Sequence, residues 1–220
     1  IASKFPKVSV ILPARNEECY IARCLDSLLA QDYPNFEVIV INDSSTDGTG
    51  EIMQQYASRD SRIMYMSAPP KPEGWAGKNW ACYEGYLRAK GKLLMFTDAD
   101  TEHSSATMSL AVGHIVSQNL DALTAVPHLI CNNFLTKVTL PALATFLHTR
   151  FSPLRVNDPD NKTGYFFGSF FVISGPCTRG ESSALPSSLT DVWHTGIFTN
   201  LPARQRPENS ACSIPADDWD

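Results

Sequence analysis

The chain has 220 residues, of which 43% are hydrophobic and 19% are charged, and its formal net charge is −5. These values are typical of a globular protein that can bury a sizeable core, as one domain or as one domain with an appendage. The acidic balance and the lack of a basic run argue against non-specific binding to nucleic acid.

Cysteine spacing and hydropathy limit the cellular compartments in which the protein is expected. The six cysteines lie far apart and form no CxxC pair, so the sequence indicates neither a zinc site nor a disulfide framework, and it predicts a reducing, cytoplasmic setting. No apolar run reaches the ~18 residues that a membrane-spanning helix needs. Because the chain begins at Ile1 rather than at Met, we expect an N-terminal piece to be missing.

The first half of the chain alternates strands and helices. Residues 7–13 (KVSVILP) and 36–41 (FEVIVI) are apolar and rich in β-branched side chains, and they predict buried strands. Between them, apolar residues recur at helical spacing over residues 20–29 and predict an amphipathic helix. Strand–helix units at this spacing predict a parallel sheet with right-handed crossovers.

The pattern continues to about residue 126 and then weakens. The sequence predicts strands at 63–66, 93–96 and 122–126, with helices at 78–89 and 105–117 between them. No G-x-G-x-x-G follows the first strand, which argues against a dinucleotide-binding Rossmann site. From about residue 175 the chain is rich in Ser, Pro, Thr and Arg and has no sustained period, which predicts loop or disorder. We therefore expect an α/β domain over residues 1–174 and an irregular tail over residues 175–220.

Two acidic residues, Asp98 and Asp100, come directly after the apolar run 93–96 and form a DXD motif. Both cannot point into a core, because an unpaired buried charge is costly. At the carboxyl end of a parallel strand, where open α/β sheets bind ligands, the pair can hold Mg²⁺ or Mn²⁺ while phosphate oxygens complete the coordination. The structural alternative is that Asp98 starts a turn and Asp100 caps the next helix.

Two more polar clusters follow predicted strands, the loop 13–17 (PARNE) and the pair Asn42-Asp43. In a parallel sheet the carboxyl ends of the strands share one edge, so the three clusters should border one crevice. Each cluster also has a structural alternative, because Glu17 can complement a helix dipole and Asp43 can form an Asx turn. Together, acceptors for a base and ribose beside a cation for phosphates predict a site for a nucleotide diphosphate.

Three segments in this order, PKVSVILPARNEE, FEVIVINDSSTDGT and GKLLMFTDADT, resemble the family 2 glycosyltransferases over roughly residues 7–130. The resemblance implies the GT-A fold, a Rossmann-like, mostly parallel α/β sheet flanked by helices that binds nucleotide sugars. The loop 72–81 (PEGWAGKNWA) resembles the branch that glycosylates lipids such as carotenoids and hopanoids. The apolar segment 140–151, followed by the GxFxxIS-like segment 168–174, also fits that branch.

The resemblance implies nucleotide-binding roles for residues of this sequence. Pro13, Ala14 and Glu17 would line the nucleobase and ribose pocket. Asp43 would accept a hydrogen bond from the base, which is commonly uracil. Lys78 would lie near the diphosphate, where its ammonium offsets leaving-group charge. The alternative for Lys78 is an ordinary solvated lysine in the first turn of a helix.

The resemblance also implies a metal site. Asp98 would hold the ribose or a metal-bound water, and Asp100 would bind Mg²⁺ or Mn²⁺ directly. His103 and His128 are alternatives for a third ligand, although such histidines are more often polar surface or satisfied core residues.

The implied reaction is a single displacement at the sugar C1 with inversion, in which a lipid-like acceptor attacks, a carboxylate takes its proton and UDP leaves. Trp75, in a loop beside Gly74, is the acceptor candidate. After Ser174 the sequence departs from the family, whose members continue with an acidic pair that supplies the base. Asp191 lies at about the right distance and is the candidate base, and a truncated or frame-shifted reading frame would explain the departure.

The resemblance predicts a cytoplasmic enzyme at the inner face of a membrane, with a nucleotide-sugar donor and a hydroxyl or carboxyl of a lipid-like molecule as acceptor. Two other hypotheses stay open. A nucleotidyltransferase shares the scaffold and the metal demand, but the loop 14–17 is acidic and lacks the glycine-rich, basic signature of that class. The second is a non-catalytic protein that binds nucleotide sugars and has lost the catalytic base and the acceptor site.

Overall fold

The structure is a computed structural model that describes residues 5–125, 128, 134–150 and 168–174. Strands and helices alternate through most of these residues, as the hydrophobic pattern predicts. In chain order the elements are β1 (Val8–Ala14), α1 (Ile21–Leu29), β2 (Phe36–Asn42), α2 (Thr49–Arg59), β3 (Ile63–Ser67), α3 (Gly77–Tyr86), β4 (Leu93–Thr97), α4 (Thr107–Ser117), β5 (Ala122–Thr124), α5 (Phe134–Arg150) and β6 (Phe170–Ser174).

The strands form one six-stranded sheet in the order β3-β2-β1-β4-β6-β5. β1 lies between β2 and β4, where Val10 is opposite both Val38 and Met95, and all neighbours from β3 to β4 are parallel. β6 runs antiparallel to both β4 and β5. The mostly parallel α/β sheet predicted from the sequence is therefore confirmed.

Both faces of the sheet are covered, which explains why the strands read as continuous apolar runs. Every residue of β1 and of β4 is buried. Val10 and Leu12 belong to a core shared with α1, α2 and α4, whereas Ile11 and Phe96 belong to a core on the opposite face shared with α3. The strand β1 is thus fixed from both sides, and its carboxyl end cannot move independently of the sheet.

The helix α3 packs unusually close to the sheet at Gly85. A Cβ atom added there would lie 2.8 Å from both Ile11 Cγ2 and Ile41 Cδ1. The missing side chain therefore lets the helix backbone approach β1 and β2. This approach places the N-terminus of α3 at the edge where the parallel strands end.

Some element boundaries differ from the predicted ones. α3 ends at Tyr86 instead of residue 89, because the Arg88 amide bonds to the carbonyl three residues back and the Ala89 amide is shared between the carbonyls three and four residues back, which tightens the last turn. α5 begins at Phe134, before the apolar segment 140–151, and Pro141 lies inside it. Among the helices that the structure describes, none is long and apolar enough to span a bilayer. The predicted tail, residues 175–220, lies outside the described residues.

Candidate functional site

The carboxyl ends of β1, β2 and β4 and the first turn of α3 border one pocket of about 200 Å³. The three polar clusters that were predicted to share this edge therefore meet. The residues that line the pocket are Pro13, Ala14, Arg15, Glu17, Asp43, Lys78, Asp98, Ala99 and Asp100, which include all seven residues predicted for nucleotide or metal binding.

Lys78 crosses the pocket to Asp98. Its Nζ donates to Asp98 Oδ1 at 2.5 Å, with 54% of the lysine side chain and 27% of the aspartate side chain exposed. Lys78 is a first-turn residue of α3, but it is not an ordinary solvated lysine, because its ammonium is paired with the DXD motif. This ion pair joins α3 to the residue that follows β4, and both of its members line the pocket.

Asp43 faces the pocket and does not form the turn that was its structural alternative. The Asx-type contacts come from its neighbours instead, since the Ser45 amide donates to Asn42 Oδ1 at 3.0 Å and the Thr49 amide donates to Asp47 Oδ1 at 3.1 Å. The carboxylate of Asp43 is left to contact groups across the pocket.

Arg15 is a pocket residue to which the sequence analysis gave no role. Its Nη1 lies 4.0 Å from Asp43 Oδ2, and its side chain is 64% exposed at the pocket mouth. The signal that it belonged to the site was its place in the loop between two residues, Ala14 and Glu17, that were predicted to bind the nucleotide.

Glu17 does not lie in the first turn of α1, which contains no acidic residue and begins at Ile21. Its carboxyl group faces the DXD motif. Burial raises the pKa of Glu17 above its usual value, and the nearby charges of Asp100 and Asp98 raise it further. The pocket thus gathers carboxylates close enough to Glu17 to oppose its ionisation.

The DXD motif is held by a turn that ends at Thr101. The Thr101 amide and hydroxyl both donate to the carbonyl oxygen of Asp98, at 3.3 and 2.6 Å. The next helix, α4, begins at Thr107 with Ala106 as its N-cap residue, so Asp100 does not cap it. Asp98 does start a turn, and this turn directs both carboxylates of the motif to the pocket.

His103 stabilises this turn through its contact with Thr97. Its Nε2 lies 2.9 Å from Thr97 Oγ1, which is in turn 2.7 Å from Thr101 Oγ1. Burial lowers the pKa of His103 to about 4, so the ring is neutral at pH 7. Neither His103 nor the exposed His128 lines the pocket.

The carboxylates that line the pocket fit a divalent cation whose coordination is completed by the substrate. Within the part of the chain that the structure describes, no three His, Cys, Asp or Glu side chains cluster tightly enough to hold a metal ion by themselves. The pocket nevertheless has four carboxylates against two cationic side chains. Mg²⁺ and Mn²⁺ are commonly bound through one or two carboxylates while substrate phosphates complete the coordination. Asp98 and Asp100 match that arrangement.

One predicted residue of the described part of the chain, Trp75, does not line the pocket. Trp75 is partly buried and packs against Trp80 and Tyr83, with ring centroids 5.3 and 5.1 Å away, beside the core under α3. Trp80 Nε1 donates to the carbonyl of Pro69 at 2.9 Å, as expected for a packed tryptophan. The proposed base, Asp191, lies outside the described residues.

Comparison with known proteins identifies the family. The family model described as Glycosyl transferase family 2 matches residues 9–175, well over half of the chain. The chain belongs to glycosyl transferase family 2. The matched residues contain every segment that lines the pocket, and they confirm the resemblance found in the sequence.

Curated relatives of this family 2 chain include bacterial glycosyltransferases. It is 38% identical over 94 residues to glycosyltransferase GlyA of Streptococcus pneumoniae, covering 43% of this chain and 13% of that protein. It is also 38% identical over 95 residues to the 4,4'-diaponeurosporenoate glycosyltransferase of Staphylococcus haemolyticus, covering 43% of this chain and 24% of that protein. The chain thus spans less than a quarter of the length of each.

Solved structures show the same fold. A mannosyltransferase from Pyrobaculum calidifontis, in complex with GDP-Man and Mn²⁺, gives a TM-score of 0.55 at 23% identity, covering 77% of this chain and 45% of that one. Glucosyl-3-phosphoglycerate synthase from Mycobacterium tuberculosis, in complex with Mn²⁺, UDP and glucosyl-3-phosphoglycerate, gives 0.51 at 22% identity, covering 77% and 57%. These likenesses confirm the predicted GT-A architecture of the family 2 domain.

Proposed function

We propose that this chain carries the donor site of an inverting, cation-dependent glycosyltransferase, which moves a sugar from a UDP-sugar to a hydroxyl or carboxyl group of a lipid-like acceptor. The observation that carries the proposal is the pocket at the carboxyl edge of the sheet, where four carboxylates and two cationic side chains converge. Family membership supports a transferase.

The base and the ribose would occupy the side of the pocket formed by β1 and β2. The carboxylate of Asp43 is an acceptor without a turn to satisfy, and the N3–H of uracil is a donor that cytosine lacks at the same position. Asp43 would therefore favour uracil. Pro13 and Ala14 are buried and rigid at the end of β1, so they would form a fixed wall, while Glu17 offers acceptors for the ribose hydroxyls.

The diphosphate would occupy the other side, between α3 and the DXD motif. The N-terminus of α3 has no side-chain cap, and its first-turn amides and dipole favour an anion there. Lys78 adds a full positive charge to this side. A cation held by Asp98 and Asp100 would supply neutralisation of the phosphate oxygens as the leaving group departs.

The proposed reaction is a direct displacement. The acceptor oxygen forms a bond to the sugar C1, the bond from C1 to the phosphate oxygen breaks, and UDP leaves with both electrons of that bond. A carboxylate takes the proton of the acceptor, and we propose Asp191 for this role. Lys78 stabilises the negative charge that develops on the leaving group.

The acceptor class is proposed from the loop 72–81 and supported by the similarity to an enzyme named as a diaponeurosporenoate glycosyltransferase. Trp75 in that loop is the residue we propose for contact with an apolar acceptor. An acceptor of this kind would bring the protein to a membrane surface, and we propose the cytoplasmic face, where UDP-sugars are made.

The test is a calorimetric titration of UDP into the protein with and without Mn²⁺, repeated with Asp100→Asn. Asp121→Asn serves as the control, because Asp121 is exposed and outside the pocket. We expect binding that depends on Mn²⁺, weakens by roughly tenfold or more in Asp100→Asn because a ligand to the cation is lost, and is unchanged in Asp121→Asn. A folded protein that binds no UDP in either condition would contradict the proposal.

A second measurement separates transfer from the non-catalytic alternative. Release of UDP from a UDP-sugar, by hydrolysis or by transfer to an added polyprenyl or carotenoid acceptor, is expected from an enzyme. Tight UDP binding without any release over hours would favour the non-catalytic nucleotide-sugar binder.

A further inference from the structure

Two loops form facing walls of the pocket. The first, residues 15–18, follows β1 and contributes Arg15 and Glu17, and the second, residues 43–49, follows β2 and contributes Asp43. The backbone links them at their bases, since the Asp43 amide donates to the Ala14 carbonyl at 2.9 Å. Beyond that point the chains leave the sheet, and side chains must hold the walls at a fixed separation.

One group of contacts between the two loops involves the far end of the second loop, where α2 begins. The Glu17 amide donates to Thr49 Oγ1 at 2.8 Å, and the Gly48 amide donates to Glu18 Oε2 at 3.0 Å. These bonds anchor residues 47–49. They lie several residues away from Asp43, so they leave the segment that begins at Asp43 to be held by something else.

Within the second loop the Ser45 amide bond to Asn42 Oδ1 fixes the turn that contains Asp43, and Asn16 holds this turn against the first loop. Its Oδ1 accepts from the Thr46 amide at 2.8 Å and lies 3.4 Å from Thr46 Oγ1. Its own amide donates to Ser45 Oγ at 3.1 Å. One residue thus contacts two consecutive residues of the facing loop through both its side chain and its backbone, although it does not itself line the pocket.

The backbone conformation also singles out Asn16. Its φ is 56°, and Ser44 in the facing loop has the same φ of 56°. Each of these left-handed residues directly follows a pocket residue, Arg15 in one loop and Asp43 in the other. Asn tolerates this region better than most residues, whereas a residue held there at a cost persists only when the surroundings fix it. Both loops are therefore held in one conformation next to the groups that would touch the nucleotide.

We propose that Asn16 is a positioning residue, which locks the two loops together and so sets the separation of Arg15 and Asp43 across the pocket. The proposal rests on the nucleotide-binding role proposed above. Asn16 acts through its neighbours: a loss of the lock lets Asp43 drift away from the base. Ordering of the loop then has to accompany nucleotide binding. Its cost reduces the net binding free energy, so the affinity for the nucleotide falls.

Three substitutions separate the hydrogen bond from the conformation. Asn16→Asp keeps the acceptor and the tolerance of positive φ, Asn16→Gly keeps only the tolerance, and Asn16→Ala keeps neither. The matched control is Asn35→Ala. Asn35 also links two segments through its side chain, with Nδ2 donating to the Phe5 carbonyl at 2.8 Å, but it precedes β2 at the opposite edge of the sheet.

The experiment measures amide hydrogen exchange of the ligand-free proteins and their affinity for UDP with Mn²⁺. For Asn16→Gly and Asn16→Ala we expect exchange of the Thr46 amide to become about tenfold faster and the affinity for UDP to fall about tenfold, since the hydrogen bond from this amide to Asn16 Oδ1 is lost. Asn16→Asp should stay within about threefold of wild type in both measurements. Asn35→Ala should lower the melting temperature while leaving both unchanged.

The proposal is overturned if Asn16→Gly binds UDP as tightly as wild type, or if its Thr46 amide exchanges no faster than in Asn35→Ala. A wild-type protein that binds no nucleotide would refute the donor site instead. In that case hydrogen exchange alone decides whether Asn16 locks the loops.

Discussion

Lys78 Nζ lies 2.5 Å from Asp98 Oδ1, so an ammonium of the protein already occupies a carboxylate of the DXD motif. In the cation site that we propose, this ammonium and a divalent cation would compete for the same oxygen atom. A diphosphate gives Lys78 a second partner of greater charge. Nucleotide and cation are then expected to bind together, because each removes an obstacle to the other.

The first prediction concerns Lys78→Met. The affinity for Mn²⁺ alone should rise by several-fold, because Asp98 loses its competing partner, while the affinity for UDP in the presence of Mn²⁺ should fall by roughly tenfold, because the diphosphate loses a charge-assisted bond. Isothermal titration with each ligand measures both. The melting temperature should change little, since an exposed ion pair contributes only about 0–1 kcal/mol.

Lys78→Arg is the control for this prediction, because it keeps the charge and should show neither change in full. Two affinities that move in the same direction in Lys78→Met would contradict the competition between Lys78 and the cation.

The second prediction concerns His103 and pH. Its pKa of about 4 lies below the unfolded value, near 6.5, so the folded state prefers the neutral ring. The stability from this preference is complete above about pH 6.5 and is lost as the pH falls toward 4, by up to about 1.4 kcal/mol for each pH unit. The wild type should therefore lose more stability between pH 7 and pH 5 than His103→Gln, which keeps a nitrogen donor but does not titrate.

Urea denaturation of both proteins at the two pH values measures this difference. Carboxylates that titrate in the same range contribute equally to wild type and variant and cancel in the comparison. Equal losses of stability in the two proteins would mean that His103 titrates normally and that its ring is not held neutral beneath the DXD turn.

The third prediction uses two glycines in helices. Gly85→Ala in α3 should destabilise the protein by about 1–3 kcal/mol, because its Cβ would lie 2.8 Å from Ile11 and Ile41. Gly113→Ala in α4 should stabilise it by about 0.5–1 kcal/mol, because outside the adjoining turns of α4 no described atom lies within 4 Å of the added Cβ, and alanine favours a helix. Chemical denaturation measures both, and changes of the same sign would contradict the close packing of α3.

The fourth prediction concerns Gly77, the first residue of α3. A Cβ added there would lie 2.8 Å from Asp43 Oδ2, the end of a side chain that can rotate away. Gly77→Ala should therefore cost little stability. It should displace the carboxylate of Asp43, which we propose contacts the nucleobase, and so weaken UDP binding by about tenfold. Calorimetry beside a melting curve measures the two effects. A variant that unfolds, or one that binds UDP normally, would count against the proposed place of Asp43.

The sequence was sufficient to predict the order of the strands in the chain and the edge at which the site lies. Short runs rich in β-branched apolar residues, such as residues 36–41, predict strands buried on both faces, and the carboxyl ends of parallel strands lie at one edge. The meeting of Glu17, Asp43 and Asp98 follows from these two facts alone. The same argument identified the DXD motif, because charged residues that end a buried strand must face a ligand or a partner.

The remaining features depend on side-chain directions and long-range distances that no local pattern encodes. The ion pair of Lys78 with Asp98 and the lock made by Asn16 each join segments of different elements, whereas His103 supports the DXD turn through side-chain directions within residues 97–103. Predicting the first two requires the register of β1 against β2 and β4 and the height of α3 above the sheet. That height depends on Gly85, a residue with no side chain to produce a hydrophobic period.

The insertion of β6 between β4 and β5 determines when the sheet can be completed during synthesis. The ribosome makes about 5–20 residues per second, so roughly 4–15 s pass between the emergence of β4 and that of β6. For that time the outer edge of β4 has no strand to pair with, and Phe96 lacks the ring of Phe171 that stacks on it at 4.6 Å. During this interval a nascent chain exposes an apolar strand edge that can pair with neighbouring chains on the same polysome. This is the stage of synthesis at which we expect a chaperone to help the protein most.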